Sequence, residues 1–355
     1  MIKLKIEGAL AALYLLCCCT MGEAVPQEPL KVGVILPLSG PVAFMGEAFQ
    51  RGVTLFAEEH PASYAQLQVT LEDHHYDGKA VVSALNKLID VDKSNMVIVW
   101  GNTPSGAAAP VAEARKIPAL LVSMNPDALD RHYVLSFGSK NGPLIEQVLK
   151  FYRLNNSAHP AVVTVDLGNI LQGIELMRKT LGEKLYVQVV ANDEHDFTPM
   201  ILNLRRNHTD ALMLFALQEQ AMTFARQAAA LGVRLPVVGG DVFADLNYAR
   251  QMQQYLPLVA FPYGLVKQAF VDKLEKRFGT SAYFYESAAG YSIMQICANA
   301  AQSWKHESPE SLLNSLQPPS AEEVPIVGLR REYDQEFGAH FTNEVALYYA
   351  DGSRH

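Results

Sequence analysis

Short β-branched runs alternate with amphipathic stretches along this chain, and the alternation begins twice. The first series runs Lys31 to Leu38, Gly46 to Glu59, Leu67 to Glu72, Lys79 to Ile89, Met96 to Trp100 and Gly106 to Lys116, then closes on strands at Ile117 to Ser123 and Tyr133 to Phe137. A strand-helix unit repeated in this way implies a parallel sheet with helices on both faces, because parallel neighbours need a crossover long enough to be a helix. The second series starts at Ala161 to Asp166 and continues through Leu185 to Ala191, Ala211 to Phe215 and Leu235 to Gly239, each followed by a helical pattern. Two open sheets of one style follow, and the fold class is α/β. After Val259 to Phe261 the rhythm stops: Lys267 to Phe278, Tyr283 to Trp304 and Pro309 to Leu316 read as consecutive helices, ahead of final strands near Val324 to Arg331 and Glu344 to Tyr349. Helices without strands between them must cover a sheet that already exists. The expected path therefore returns to the first lobe for these helices and crosses again to finish in the second. That path gives residues 29–141 plus 265–322 to lobe 1 and 142–264 plus 323–355 to lobe 2, with three crossings as a hinge.

With 355 residues, 49% of them hydrophobic, the chain can build two packed cores. Its opening reads as an export signal: Lys3 and Lys5 give a positive start, Ala9 to Cys19 an apolar run, and Gly22-Glu23-Ala24 small residues for cleavage. Residues 1–24 are expected to be removed and the mature chain to work in the periplasm. The apolar run is shorter than the ~20 residues a membrane span requires. Cys17, Cys18 and Cys19 leave a lipid anchor open as an alternative, although Leu or Cys precedes each of them where a small residue would be usual. After cleavage Cys297 is the remaining thiol, so no internal disulfide can form, and its neighbours Ile296 and Ala298 suit packing rather than reactivity. A net charge of -8 argues against nucleic acid or anionic lipid as the main partner. The absence of a short repeat period argues against solenoids and propellers.

In open parallel sheets a ligand sits beyond the carboxyl ends of the strands, where the connecting loops diverge. The loops to inspect are Ser39 to Met45, Gly101 to Ser105, Ser123 to Asp127, Asp166 to Gln172, Ala216 to Gln220 and Gly239 to Ala244, which two facing lobes would bring to one cleft. Trp100-Gly-Asn-Thr-Pro-Ser-Gly106 ends a strand and opens a helix, and free amides at such an end favour an anion. Metal chemistry finds little support: His74-His75 beside Asp73, and Asp193-Glu-His-Asp196, lack ligand spacing, and solvated loops are the expected setting of both. No Gly-x-Ser-x-Gly elbow, Walker lysine loop or dinucleotide fingerprint occurs, so no catalytic residue, metal or cofactor is assigned.

Lys31-Val-Gly-Val-Ile-Leu-Pro-Leu-Ser-Gly-Pro-Val-Ala-Phe-Met-Gly46 resembles the opening of the leucine/isoleucine/valine-binding family of transporter solute receptors: a strand, a Ser-Gly-Pro turn, and a helix from Gly46. The resemblance continues through Asp77 to Ile89, Ala109 to Pro118, Asn125-Pro126, Gln227 to Gly232, Gly239 to Asp241 and Tyr349-Ala-Asp-Gly352, essentially the whole mature chain. It implies the type I periplasmic binding fold: two Rossmann-like lobes with parallel sheets, joined by a three-strand hinge and closing on a ligand by lobe rotation. It also implies that Asn102, Thr103 and Ser105 hold a ligand carboxylate and that Asp241 pairs with an ammonium group. Simple helix capping is the structural alternative at both places. Where relatives carry tyrosines this chain has Met45, Ile170 and Leu217, which implies a more apolar pocket, with Phe44 closing over the ligand and Ser123 adding a hydrogen bond; plain loop packing is the alternative at each of these places. The function implied is that of a monomeric, non-enzymatic receptor that hands a small amine- or carboxylate-bearing solute to an ABC permease in the inner membrane. A binding protein reporting to a membrane sensor is the alternative, and a periplasmic hydrolase a weaker one.

Overall fold

The computed structural model describes residues 28–123, 131–165, 170–191, 193–335 and 338–355, without the side chains of residues 165 and 170–172. The proposed signal segment 1–24, Asn125-Pro126 and most of the loop at 166–172 lie outside what is described. Two sheets organise the rest. The first contains β1 (Leu30–Leu36), β2 (Leu67–Asp73), β3 (Met96–Trp100), β4 (Ala119–Val122) and β5 (Val134–Phe137), all parallel, in the order β2-β1-β3-β4-β5. The second contains β6 (Pro160–Val165), β7 (Tyr186–Val190), β8 (Ala211–Phe215), β9 (Val237–Gly239) and β10 (Val259–Gly264), in the matching order β7-β6-β8-β9-β10. Each sheet is thus a doubly wound unit, and the lobes are Rossmann-like.

Strand and helix faces follow the side-chain periods that the sequence displays. In sheet one, Ile35, Val97, Val99 and Leu121 pack under α3 (Gly78–Asp90) and α4 (Asn102–Arg115), through Val81, Leu85, Leu88, Ala108 and Ala112. The alternate residues Val32, Val34, Met96 and Ile98 face α1 (Ala43–Glu59) and α11 (Phe284–Ser303). Between Glu59 and β2 lies only a single short turn, α2 (Pro61–Tyr64). Sheet two is covered on one face by α5 (Asn141–Leu154) and α6 (Ile170–Leu181), and on the other by α7 (Thr198–Arg206), α8 (Gln218–Ala230) and α9 (Leu246–Met252). The helices α10 (Gln268–Phe278), α11 and α12 (Pro309–Ser315) come consecutively, as the loss of strand rhythm after residue 261 indicates.

Where α1 and α11 cross, the two backbones touch. A Cβ on Gly52 would lie 1.8 Å from the Ser287 carbonyl oxygen, and one on Gly290 2.3 Å from that of Phe49. Ser287 donates its hydroxyl to Ala48 O at 2.7 Å across the same contact. The approach needs glycine because there is no volume for any side chain. Cys297 lies in this helix, fully buried with its Sγ 3.8 Å from Met96 Sδ, and burial pushes its thiol up to about 12, so it packs as a small apolar residue.

The end of the chain departs from expectation. β11 (Arg330–Asp334) and β12 (Gly338–Thr342) form an antiparallel pair that extends sheet one beside β5, and only β13 (Val345–Tyr349) joins sheet two, antiparallel to β10. The sequence places the whole of 323–355 in the second lobe, but Arg330–Asp334 and Gly338–Thr342 pair into the first sheet. The physical reason is that Arg-Arg-Glu-Tyr-Asp is an edge strand, charged on its open side and so without apolar alternation. The third crossing therefore lies near Asn343. There Asn343 Nδ2 donates to Ser139 Oγ at 3.0 Å, Tyr285 donates its hydroxyl to Asn343 Oδ1 at 2.7 Å, and Leu265 N donates to Glu344 O at 2.8 Å, so all three crossings are tied to one another.

Candidate functional site

The strand order reverses between β1 and β3 in one lobe and between β6 and β8 in the other, and loops diverge at such points. Contacts across the molecule show that these loop-bearing ends face each other. The Phe44 ring, opening α1, lies against Tyr283 with centroids 4.8 Å apart. Gln218, opening α8, hydrogen-bonds the Tyr283 hydroxyl and donates to Val242 O at 3.3 Å. Tyr283 N donates to Ala244 O at 3.2 Å. From the loop after β2, Tyr76 senses the charge of Asp241, which follows β9.

The first-lobe wall is built at the end of β3. Gly101 is the N-cap of α4 with φ +102°, a conformation that favours glycine. A side chain there would also strike Tyr76, whose Cε2 is 2.7 Å from the position of a Cβ. The helix opens with few free donors. Pro104 has no amide hydrogen, and Ser105 N donates to Gly101 O at 2.9 Å. Burial and the charge of Asp241 raise the pKa of the Tyr76 phenol, and polar groups of Thr103 and Asn102 oppose that rise. Asn102 Oδ1 accepts from the Ser123 hydroxyl at 2.9 Å, joining the ends of β3 and β4.

Tyr76 is held from beneath by a buried histidine. His74 Nε2 donates to Trp100 O at 3.0 Å and His74 Nδ1 accepts from Tyr76 N at 2.9 Å, which fixes one neutral tautomer. Burial lowers its pKa to about 4 and keeps it uncharged, against the opposing pull of the Trp100 carbonyl and Asp73. The solvated setting expected of the His74-His75 pair holds for His75 and fails for His74, which has no exposed surface. The turn bends enough for His75 and Tyr76 both to take positive φ, at 47° and 60°. Asp73 secures it by accepting from His75 N at 2.9 Å and from Leu38 N at 3.0 Å, and Ser39 meets His75 Nδ1. The loops after β1 and β2 therefore form one unit.

On the opposite side, Asp241 begins a single 3-10 turn after β9, its Oδ1 accepting from Val242 N at 3.0 Å. It is exposed by area, yet protein surrounds it closely enough to desolvate the carboxyl and raise its pKa, with the Val242 amide opposing. A group both accessible and hemmed in lines a gap. The capping alternative falls to another residue: Asp245, not Asp241, caps α9, accepting from Asn247 N at 2.9 Å and Tyr248 N at 3.3 Å. A second carboxylate feels the charge of Asp241. Glu286, buried in the first turn of α11, accepts from Trp100 Nε1 at 2.7 Å and from the Tyr263 hydroxyl at 3.4 Å. Burial raises it to about 7, the two hydrogen bonds opposing and the Asp241 charge adding to the rise.

The residues expected at the site are placed unequally. Phe44 stands in the first turn of α1, Asn102 and Thr103 in that of α4, and Asp241 in the 3-10 turn after β9, with Ser123 buried behind Asn102 and Leu217 half-buried as the N-cap of α8. Ser105 is fully buried, its hydroxyl enclosed and without a hydrogen-bond partner. Met45 is not in a loop: α1 starts at Ala43 rather than at Gly46, and Met45 is buried in its first turn. Ile170 opens α6. Sequence reasoning missed Tyr76, Trp100, Tyr263, Tyr283 and Glu286. The missing tyrosines at 45, 170 and 217 implied an apolar pocket, but aromatic rings arrive from other loops.

A family model described as periplasmic binding protein matches residues 29–348. A Leu/Ile/Val-binding protein homolog 7 of Brucella abortus is 20% identical over 93% of this chain and 92% of its own length. The crystal structure of a leucine binding protein, LivK, of Thermotoga maritima superposes with a TM-score of 0.76 at 18% identity, covering 92% of this chain and 97% of that one. A solute binding protein of an ABC transporter from R. palustris, in complex with benzoate, superposes at 0.74 with 16% identity, covering 92% and 95%. Similarity at these identities bears on the fold.

Proposed function

This chain belongs to the periplasmic binding protein family, and we propose that it is an extracytoplasmic receptor that captures a small amine- or carboxylate-bearing solute between its lobes and delivers it to an ABC permease, catalysing nothing. The observation that carries this reading is Asp241: accessible, desolvated, and set opposite the end of β3 where the other lobe begins its own wall. Ionised groups that face a closing gap need a partner, and a solute amine supplies one. The ligands in the names of similar proteins, leucine in one and benzoate in another, support the small-solute class without selecting within it. Three tied crossings give the lobes a shared axis, and a solute touching both walls favours the closed arrangement by the contacts that only that arrangement makes.

The test is a thermal-shift screen of amino acids, amines and organic acids on wild type and Asp241→Ala. A ligand bound to the folded state alone raises the melting temperature. An amine that stabilises the wild type should bind Asp241→Ala about 10-fold or more weakly, the worth of one charge-assisted hydrogen bond. Equal affinity in the two proteins would remove Asp241 from the site, and silence across the whole screen would sink the solute reading.

A further inference from the structure

A rotation about the three crossings spares the contacts beside them and breaks those farther out. The pairs Glu286 with Tyr263 and Tyr285 with Asn343 lie beside the crossings, one on β10 and the other just after β12. Tyr283 lies elsewhere. Its partners in the second lobe follow β8 and β9, and β8 stands two strands away from β10, the strand that leads into a crossing. Main chain and side chain of this one residue reach different loops: Tyr283 N donates to Ala244 O at 3.2 Å, after β9, and Gln218 Nε2, after β8, donates to the Tyr283 hydroxyl.

Each half of this contact is fixed within its own lobe. In the first lobe the Tyr283 ring lies 4.8 Å from that of Phe44, Arg51 Nη2 donates to Ala282 O at 2.7 Å, and Ala282 N donates to Thr280 Oγ1 at 3.2 Å. Tyr283 is the N-cap of α11, so its amide is one the helix itself does not use. It holds φ at +57°, a left-handed conformation uncommon for a residue with a side chain. In the second lobe Gln218 Nε2 also donates to Val242 O at 3.3 Å, and Gln218 O accepts from the Tyr248 hydroxyl. Groups already held in place lose little freedom when they meet. Ala244 closes the 3-10 turn that Asp241 begins, its amide donating to Asp241 O at 2.9 Å, so whatever fixes Ala244 also fixes Asp241.

We propose that Tyr283 is a latch between the lobes that closes without any solute, so that the chain itself sets the Asp241 wall against the first lobe. The inference concerns the ligand-free protein and goes beyond the solute-binding reading, which stands or falls separately.

The test compares wild type, Tyr283→Phe and Gln218→Ala, each unfolded in denaturant, dialysed free of copurified solute and refolded. Small-angle X-ray scattering reports the separation of the lobes, and hydrogen exchange reports the Tyr283 amide. Wild type should scatter as the closed arrangement and exchange this amide slowly. Either substitution removes the side-chain half of the latch, so the radius of gyration should rise and the Tyr283 amide should exchange about 10-fold faster, the worth of one hydrogen bond. Amides inside α11, such as that of Ile293, should keep their wild-type rates. A wild type as expanded as its variants, or a Tyr283 amide that neither substitution changes, overturns the latch. Faster exchange throughout α11 overturns it too, since that reports lost packing.

Discussion

Glu286 shows how much one side chain can carry in this molecule. Its carboxyl titrates near 4.5 when solvated and near 7 in the fold, chiefly because it is buried. Between those values the folded chain holds a proton that the unfolded chain has released. Stability from this group therefore falls as pH rises through that window, and the loss is complete above it. Glu286→Gln keeps an oxygen for Trp100 Nε1 and an amide for the Tyr263 hydroxyl without the charge. Relative to wild type it should gain stability between pH 5 and pH 8, by roughly 3 kcal/mol from the size of the shift; denaturant melts of both proteins across that range check it, and parallel curves would refute it. Legibility at this scale was partial. Asp241 could be found because it sits at a strand end, where topology makes a carboxylate conspicuous. Glu286 could not, since it is hidden in a helix that reads as cover for a sheet. Trp100 looked like the last core residue of β3, and it is buried, but its indole nitrogen turns toward that helix. Tyr76 stood in a loop whose fold depends on His74, a residue that charge alone would place in water.

At the scale of elements, spacing told most of what there was to tell. Met96 to Trp100 and Ala211 to Phe215 are strands with the boundaries that their β-branched runs suggest, and of the consecutive helices after residue 261, α11 lies on the first sheet with α10 and α12 packed against it. The antiparallel pair β11 and β12 was illegible because an edge strand is recognised by its partner, not by its own pattern. The contact between α1 and α11 left a trace in the sequence, glycines in mid-helix at 52 and 290, where propensity argues against them. Gly52→Ala must push the two helices apart to clear the Ser287 carbonyl. It should cost about 1 to 3 kcal/mol and lower the melting temperature by several degrees. Gly142→Ala is the control: it too lies in a helix, α5, with nothing within 4 Å of the added carbon, so propensity alone operates and stability should hold or rise. Equal effects of the two substitutions would remove the close approach as the cause.

Across the whole molecule, neither lobe is made from one continuous stretch. Sheet one takes its covering helix from 284–303 and its outer strands from 330–342, and sheet two receives β13 last of all. A ribosome must deliver nearly the full polypeptide before either half can seal itself. Nascent chains stalled near residue 300 should accordingly be cleaved by protease many times faster than the finished protein, and early resistance would argue that half the molecule stands alone. For a polypeptide bound for another compartment, late sealing is useful: it stays slack enough to be threaded through a narrow pore, and acquires its shape on the far side.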